Sequence, residues 1–211
     1  MKYSLHVVST EKDPIEKIAY VNSLIHPYVD FLHIRKKQWS VSEIEQLIKE
    51  LVNSKIPRNK MIVNNQPDLA KRFGLGGVHF PELVSFRNYP SMNLLKGSSV
   101  HSEEMAIVKE QEGADYLFFG HIYETTSKPG LAPRGLHPLH SVTQTVSIPV
   151  IAIGGITPER VHECLEHGAS GVAVMSTVYQ ADDPVAVVKA YRSALLRKEE
   201  CLHESRYKRD R

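Results

Sequence analysis

Eight strand patterns alternate with helix patterns along 211 residues, and this alternation predicts an α/β fold, a (β/α)8 TIM barrel. Two further observations favour closure. All eight units fall in one domain-sized chain, near the lower limit for this barrel. The loop after the first strand, Ser9-Thr10-Glu11-Lys12, holds no glycine, so the phosphate turn of an open dinucleotide-binding sheet is missing.

The strands are short apolar runs, read at 3–8, 29–34, 60–64, 76–79, 94–99, 115–119, 149–153 and 171–175. Helix signals fall between them. Asp13-Pro14 starts the first, and Ser40 to Val52 is amphipathic. A short one lies near 66–73, Ser102 to Glu112 follows strand five, and Pro184 to Arg197 closes the set. Ile122 to Gly135 is the longest loop after a strand, and with Pro129, Gly130, Pro133 and Gly135 it reads as a lid. One domain spans 1–197, and 198–211 reads as a charged tail.

A formal net charge of +2 gives no strong field for nucleic acid or a membrane surface. Cys164 and Cys201 form no CxxC pair, which suits a reducing cytoplasm. Tyr3 to Val8 reads as a strand, not a leader peptide. No apolar run reaches the roughly 18 residues that span a bilayer. The composition thus predicts a cytoplasmic protein with no nucleic-acid or membrane partner, and leaves homo-oligomerisation open.

Strand seven, Ile148 to Ile153, ends in Gly154-Gly155. Thr157 then reads as an N-cap, with Pro158 at the first helical position. Strand eight, Gly171 to Met175, ends at Ser176. Two such ends, one helix apart, form the usual phosphate site of this barrel. Amides at Gly154, Gly155, Met175 and Ser176 are the candidate phosphate ligands, because glycine lets an anion approach the backbone.

Barrel active sites lie at the C-terminal ends of the strands. At the end of strand two, alternation puts Leu32 and Ile34 outward and His33, Arg35 and Lys37 inward, where they call for an anionic partner. Asn64-Asn65, His79, Ser98-Ser99 and His101 follow on the next strands. Strand six ends Gly120-His121. A histidine beneath a lid is a proton-transfer candidate, so His121 is the catalytic choice. No carboxylate ends strands two through six, and GxSxG and HExxH are absent. The chemistry predicted from the residues is proton transfer with no metal and no cofactor.

These segments in their order resemble the thiamin phosphate synthase superfamily over about residues 1–195. The match runs through His33-x-Arg35-x-Lys37, Asn64-Asn65, Gly77-Val78-His79, Ser99-Val100-His101 and Gly113-Ala114-Asp115-Tyr116, then Gly120 to Lys128, Ile148 to Thr157 and Gly171 to Ser176. The resemblance implies that Arg35, Lys37, Asn64, Ser99 and Lys128 hold a pyrimidine diphosphate. It implies that Thr125, Ser127, Gly155, Met175 and Ser176 hold a thiazole phosphate.

Four departures from the synthase pattern stand out. His33 replaces Gln, Asn65 replaces Asp, Phe80 to Val84 lacks a second Asp, and His121 replaces Pro. The two missing Asp are the family's magnesium ligands. That set of changes resembles the TenI branch, whose members are thiazole tautomerases. It implies an isomerase that brings a carboxythiazole phosphate tautomer to its aromatic form, with Arg35 on the carboxylate and His121 moving the proton. Two alternatives remain: a thiamin phosphate synthase, and a non-catalytic regulator that binds thiazole phosphate.

Overall fold

Eight parallel strands pair in sequence order and the eighth closes on the first in a computed structural model that describes residues 3–89 and 93–207. The strands are β1 (Ser4–Val8), β2 (Phe31–Ile34), β3 (Met61–Asn64), β4 (Gly77–Phe80), β5 (Leu95–Val100), β6 (Tyr116–Gly120), β7 (Val150–Ile153) and β8 (Gly171–Val174). The helices are α1 (Ile15–Ile25), α2 (Val41–Asn53), α3 (Pro67–Phe73), α4 (Glu103–Gln111), α5 (Leu136–Thr145), α6 (Val161–Glu166), α7 (Ser176–Tyr179) and α8 (Pro184–Tyr207). The fold is the predicted (β/α)8 barrel.

Local chemistry sets the element ends. Ser40 and Glu43 form a reciprocal capping box at the start of α2. Ile44, Leu47, Ile48 and Leu51 then recur at helical spacing and are buried against the sheet. α3 stops at Gly74, whose φ of 61° is the left-handed cap that glycine adopts at little cost.

Strand alternation divides the apolar residues into two cores. Leu32, Ile34, Val63 and Leu117 face the helix layer, while Val8, Tyr116, Phe118, Ile151 and Ala173 pack inside the barrel. Three histidines share that interior. His6, His33 and His79 are each 2% exposed and ring Phe118, with centroids 4.4 to 5.4 Å from it.

Several local readings are corrected. A single turn, α7, precedes α8 and carries no periodic signal of its own. Thr157 occupies an N-cap position but caps nothing, and a 3-10 turn over Pro158–Arg160 leads into α6. The buried cation of the β2 end is Lys36, whose ammonium donates to the Glu11 and Asp13 carbonyls at 3.1 and 2.5 Å. The side chains of the tail predicted at 198–211 lie outside the described residues, and the helical backbone continues to Tyr207. No described helix is long and apolar enough to cross a membrane.

Candidate active site

The phosphate cradle predicted from the sequence falls where β7 and β8 end side by side, with Ile153 paired to Ala173. Gly154 and Gly155 take φ of 99° and 66°, a region that side chains disfavour. They also lie where no Cβ fits. One on Gly154 would stand 2.3 Å from Cβ of His121, and one on Gly155 2.3 Å from the Glu124 carbonyl. The Gly155 amide donates to no backbone carbonyl among the described residues, and neither does the Ser176 amide that opens α7. Free amides at a strand-to-helix turn form an anion site.

The lid is laid directly across this cradle. Ile122 donates to the Ile153 carbonyl and Tyr123 to that of Gly154, both at 3.0 Å. The far end of the lid returns to the same place, since Arg134 donates to the His121 carbonyl at 2.9 Å and Gly135 to that of Ile122 at 3.0 Å. Within it, the Ser127 amide donates to Thr125 Oγ1 at 3.3 Å, and the Lys128 amide to the Thr125 carbonyl at 3.1 Å. Thr125, Ser127 and Lys128 therefore share one tight turn. Outside, Arg160 donates to the Gly155 carbonyl at 2.8 Å and lies 4.5 Å over the Tyr123 ring. The Tyr123 hydroxyl donates to Glu163 at 2.6 Å.

His121 is 5% exposed. Its Nε2 lies 3.2 Å from the Leu131 carbonyl, which can only accept, so Nε2 donates there. Nδ1 is buried and has no partner among the described residues. A buried polar atom without a partner is costly and calls for a ligand or a water.

Cations gather at the end of β2 and along the lid. Burial holds the Lys128 ammonium below its usual range, and the charges of Arg134, Lys37 and Arg35 push the same way, with Glu82 opposing. Arg35 also acts on His79, whose pKa burial, His6 and Arg35 together lower to about 3. None of the ion pairs among the described residues includes Arg35, Lys37, Lys128 or Arg134. The sequence pattern alone does not single out Arg134. The lid's Pro133-Arg134-Gly135 was the available signal, and only the fold brings it back to β6, where its Nε donates to the Gly120 carbonyl at 3.0 Å.

The inward row on β2 is only partly as predicted. His33 points inward but meets His6 at 2.9 Å rather than an anion. Burial, with His6 and His79, holds its pKa well below the usual range, so it stays neutral. Lys37 is exposed, and its amide donates to Glu11 at 3.1 Å. Ser99 is engaged with His79 at 2.9 Å, and Asn64 pairs with His79 in the ladder between β3 and β4.

The donor set does not fit the magnesium that the family implies. Asn65, with φ of 51°, stands at the first carboxylate position, and its amide donates to the His79 carbonyl at 2.9 Å. Glu82 accepts from the His101 amide at 2.7 Å and pairs with that ring at 3.3 Å. The described residues contain no group of three or more His, Cys, Asp or Glu side chains placed to hold a metal. A neutral amide is a weak ligand for so hard a cation.

A closed parallel barrel with a glycine turn after β7 beside the end of β8, a lid across it and cations at the end of β2 and on the lid defines a TIM barrel with its candidate active site at the mouth. Residues 5–178 match the model of the thiamine monophosphate synthase family, TMP-TENI, and the chain belongs to that family. The chain is 35% identical over 156 residues to a putative thiamine-phosphate synthase 2 of Aquifex aeolicus, covering 70% of this chain and 82% of that protein. It is 32% identical over 198 residues to a thiamine-phosphate synthase of Desulfitobacterium hafniense, covering 89% and 94%. A thiamine phosphate pyrophosphorylase structure from Pyrococcus furiosus superposes with a TM-score of 0.75 at 26% identity, over 93% of this chain and 96% of that one.

These relatives overturn the tautomerase expectation. The Aquifex and Desulfitobacterium relatives are named as synthases, which are transferases, so the isomerase assignment and the TenI branch are not supported. That expectation rested on a few positions, chiefly Asn65 and His121. The similarity to the synthases extends along most of the chain and over both halves of the mouth.

Proposed function

We propose that the chain is a thiamin-phosphate synthase, which joins a pyrimidine diphosphate to a thiazole phosphate and releases diphosphate. One observation carries this reading: two different anion-binding features share one barrel mouth. The cradle of Gly154, Gly155, Met175 and Ser176 suits the thiazole phosphate, with Thr125 and Ser127 donating from the lid. The rim of Arg35, Lys37 and Lys128, to which the fold adds Arg134, suits a diphosphate.

In the coupling, the thiazole nitrogen forms a bond to the pyrimidine methylene carbon as the carbon–oxygen bond to diphosphate breaks. The electron pair leaves on the diphosphate. The rim cations lie where that charge develops, and fixed charges in a dry site are worth more than in water. Asn64 and Ser99 position the pyrimidine end. His121 makes a substrate hydrogen bond at Nδ1 and orients the ring beside the cradle. The lid excludes water, which would otherwise compete with the thiazole nitrogen.

Incubation of the full chain with both substrates is expected to yield thiamin phosphate. Loss of product in Lys128→Ala and in Gly155→Val, one in the lid and one in the turn beneath it, would support the two-anion arrangement. Absence of product from the unaltered chain would refute the reading.

A further inference from the structure

Both halves of the phosphate cradle are tied to one buried oxygen behind them. Tyr191, on α8, is fully buried, and its hydroxyl lies 2.8 Å from the Ile156 carbonyl and 3.0 Å from Thr177 Oγ1. A carbonyl only accepts, so the single phenolic hydrogen goes to Ile156. The second contact is then Thr177 donating to the phenolic oxygen. Ile156 is one residue beyond Gly155, and Thr177 is one residue beyond Ser176. The two contacts therefore sit next to the two free amides of the cradle, one on each side.

We propose that Tyr191 is a positioning residue whose hydroxyl sets the spacing of the two cradle halves, so that the amides near Gly155 and Ser176 converge on one phosphate. The inference rests on the phosphate assignment made above, not on the coupling chemistry. The case is geometric. The β7 loop and α7 are separate segments, and among the described residues no backbone hydrogen bond joins them at this level. Fixing the Ile156 carbonyl orients the peptide plane that follows the Gly-Gly turn. Holding the Thr177 hydroxyl fixes the first turn of α7, whose four residues are too few to hold their own direction. Burial raises the phenol's pKa, with the Thr177 contact opposing, so the bridge keeps its proton across the working pH range. Preorganised donors bind an anion without first having to be ordered.

Tyr191→Phe removes the oxygen and keeps the ring, so packing is largely preserved. Titration of the full chain with inorganic phosphate, followed at the Gly155 and Ser176 amides by NMR, is expected to show affinity weakened roughly tenfold. Thr177→Val should weaken it in the same sense. The double variant should lose little more than Tyr191→Phe alone, because both substitutions break one bridge. Thr143→Val is the control for general destabilisation. It removes the bond from Thr143 Oγ1 to the His167 carbonyl, 2.8 Å long and remote from the cradle, and should leave phosphate affinity unchanged. Wild-type affinity in Tyr191→Phe, or an equal loss in Thr143→Val, would overturn the proposal. Strictly additive losses in the double variant would also overturn it. Failure of the coupling reaction alone would leave this inference standing.

Discussion

Gly154 lies so close above His121 that a Cβ on the glycine would stand 2.3 Å from the histidine's own Cβ. The glycine turn after β7 and the residue that follows β6 are thus in direct contact, so a side chain added at Gly154 must displace His121. Gly154→Ala should therefore do two things. It forces alanine to a φ of 99°, costing on the order of 1–3 kcal/mol, and it displaces His121. We expect a lower melting temperature and weaker thiazole phosphate binding together, read by calorimetry and titration. Unchanged affinity would show that the cradle does not depend on this contact.

His121→Ala and His121→Asn separate two parts of the account. The ring's Nε2–H reaches the Leu131 carbonyl, and Nδ1 has no protein partner. Both variants should slow coupling by roughly 10- to 100-fold, while thiazole phosphate binding changes little, because the phosphate amides are untouched. Equal losses of rate and affinity would reduce His121 to a packing residue of the lid.

The histidine ring inside the barrel predicts acid sensitivity. Burial lowers the pKa of His6 to about 3, and that of His79 also to about 3, against 6.5 in the unfolded chain. Below pH 6.5 the unfolded chain takes up protons that these buried rings refuse. Stability therefore falls as pH drops from about 6.5 toward 3, by up to about 1.4 kcal/mol per pH unit for each ring. His33, shifted in the same direction, adds to the slope. Urea unfolding at several pH values should show this decline, and His79→Gln should flatten it. A slope that does not change in that variant would contradict the assignment.

Arg160 fastens the lid from outside, through the Gly155 carbonyl and the Tyr123 ring. Arg160→Ala should increase hydrogen exchange at residues 122–127 in the ligand-free chain. Arg160→Lys keeps the charge but loses the planar stack, and should restore little of the protection. Full restoration by lysine would show that charge, not stacking, holds the lid.

The barrel itself is readable in the sequence because each strand is a short buried run with turn residues at its ends. All eight begin and end within two residues of the positions predicted from the sequence. The glycine pair and Ser176 are readable for the same reason, as strand ends one helix apart. Other features depend on contacts between distant segments. α7 is one turn long, too short for a periodic signal. The partner of His33 is fixed by the register of β1 against β2, which sets Val8 beside His33 and leaves His6 to meet it from below. Arg134 joins the rim only because the lid returns to His121. The tautomerase expectation shows a different limit. Asn65 and His121 are single positions, and their chemistry weighs against a magnesium site without specifying which bond the protein makes or breaks.

Phosphorus NMR of the full chain with equimolar pyrimidine diphosphate and thiazole phosphate tests the central claim most directly. The account predicts stoichiometric release of inorganic diphosphate as thiamin phosphate forms, and loss of both signals in Lys128→Ala. Persistence of both substrates in the presence of the unaltered chain, with and without magnesium, would contradict it.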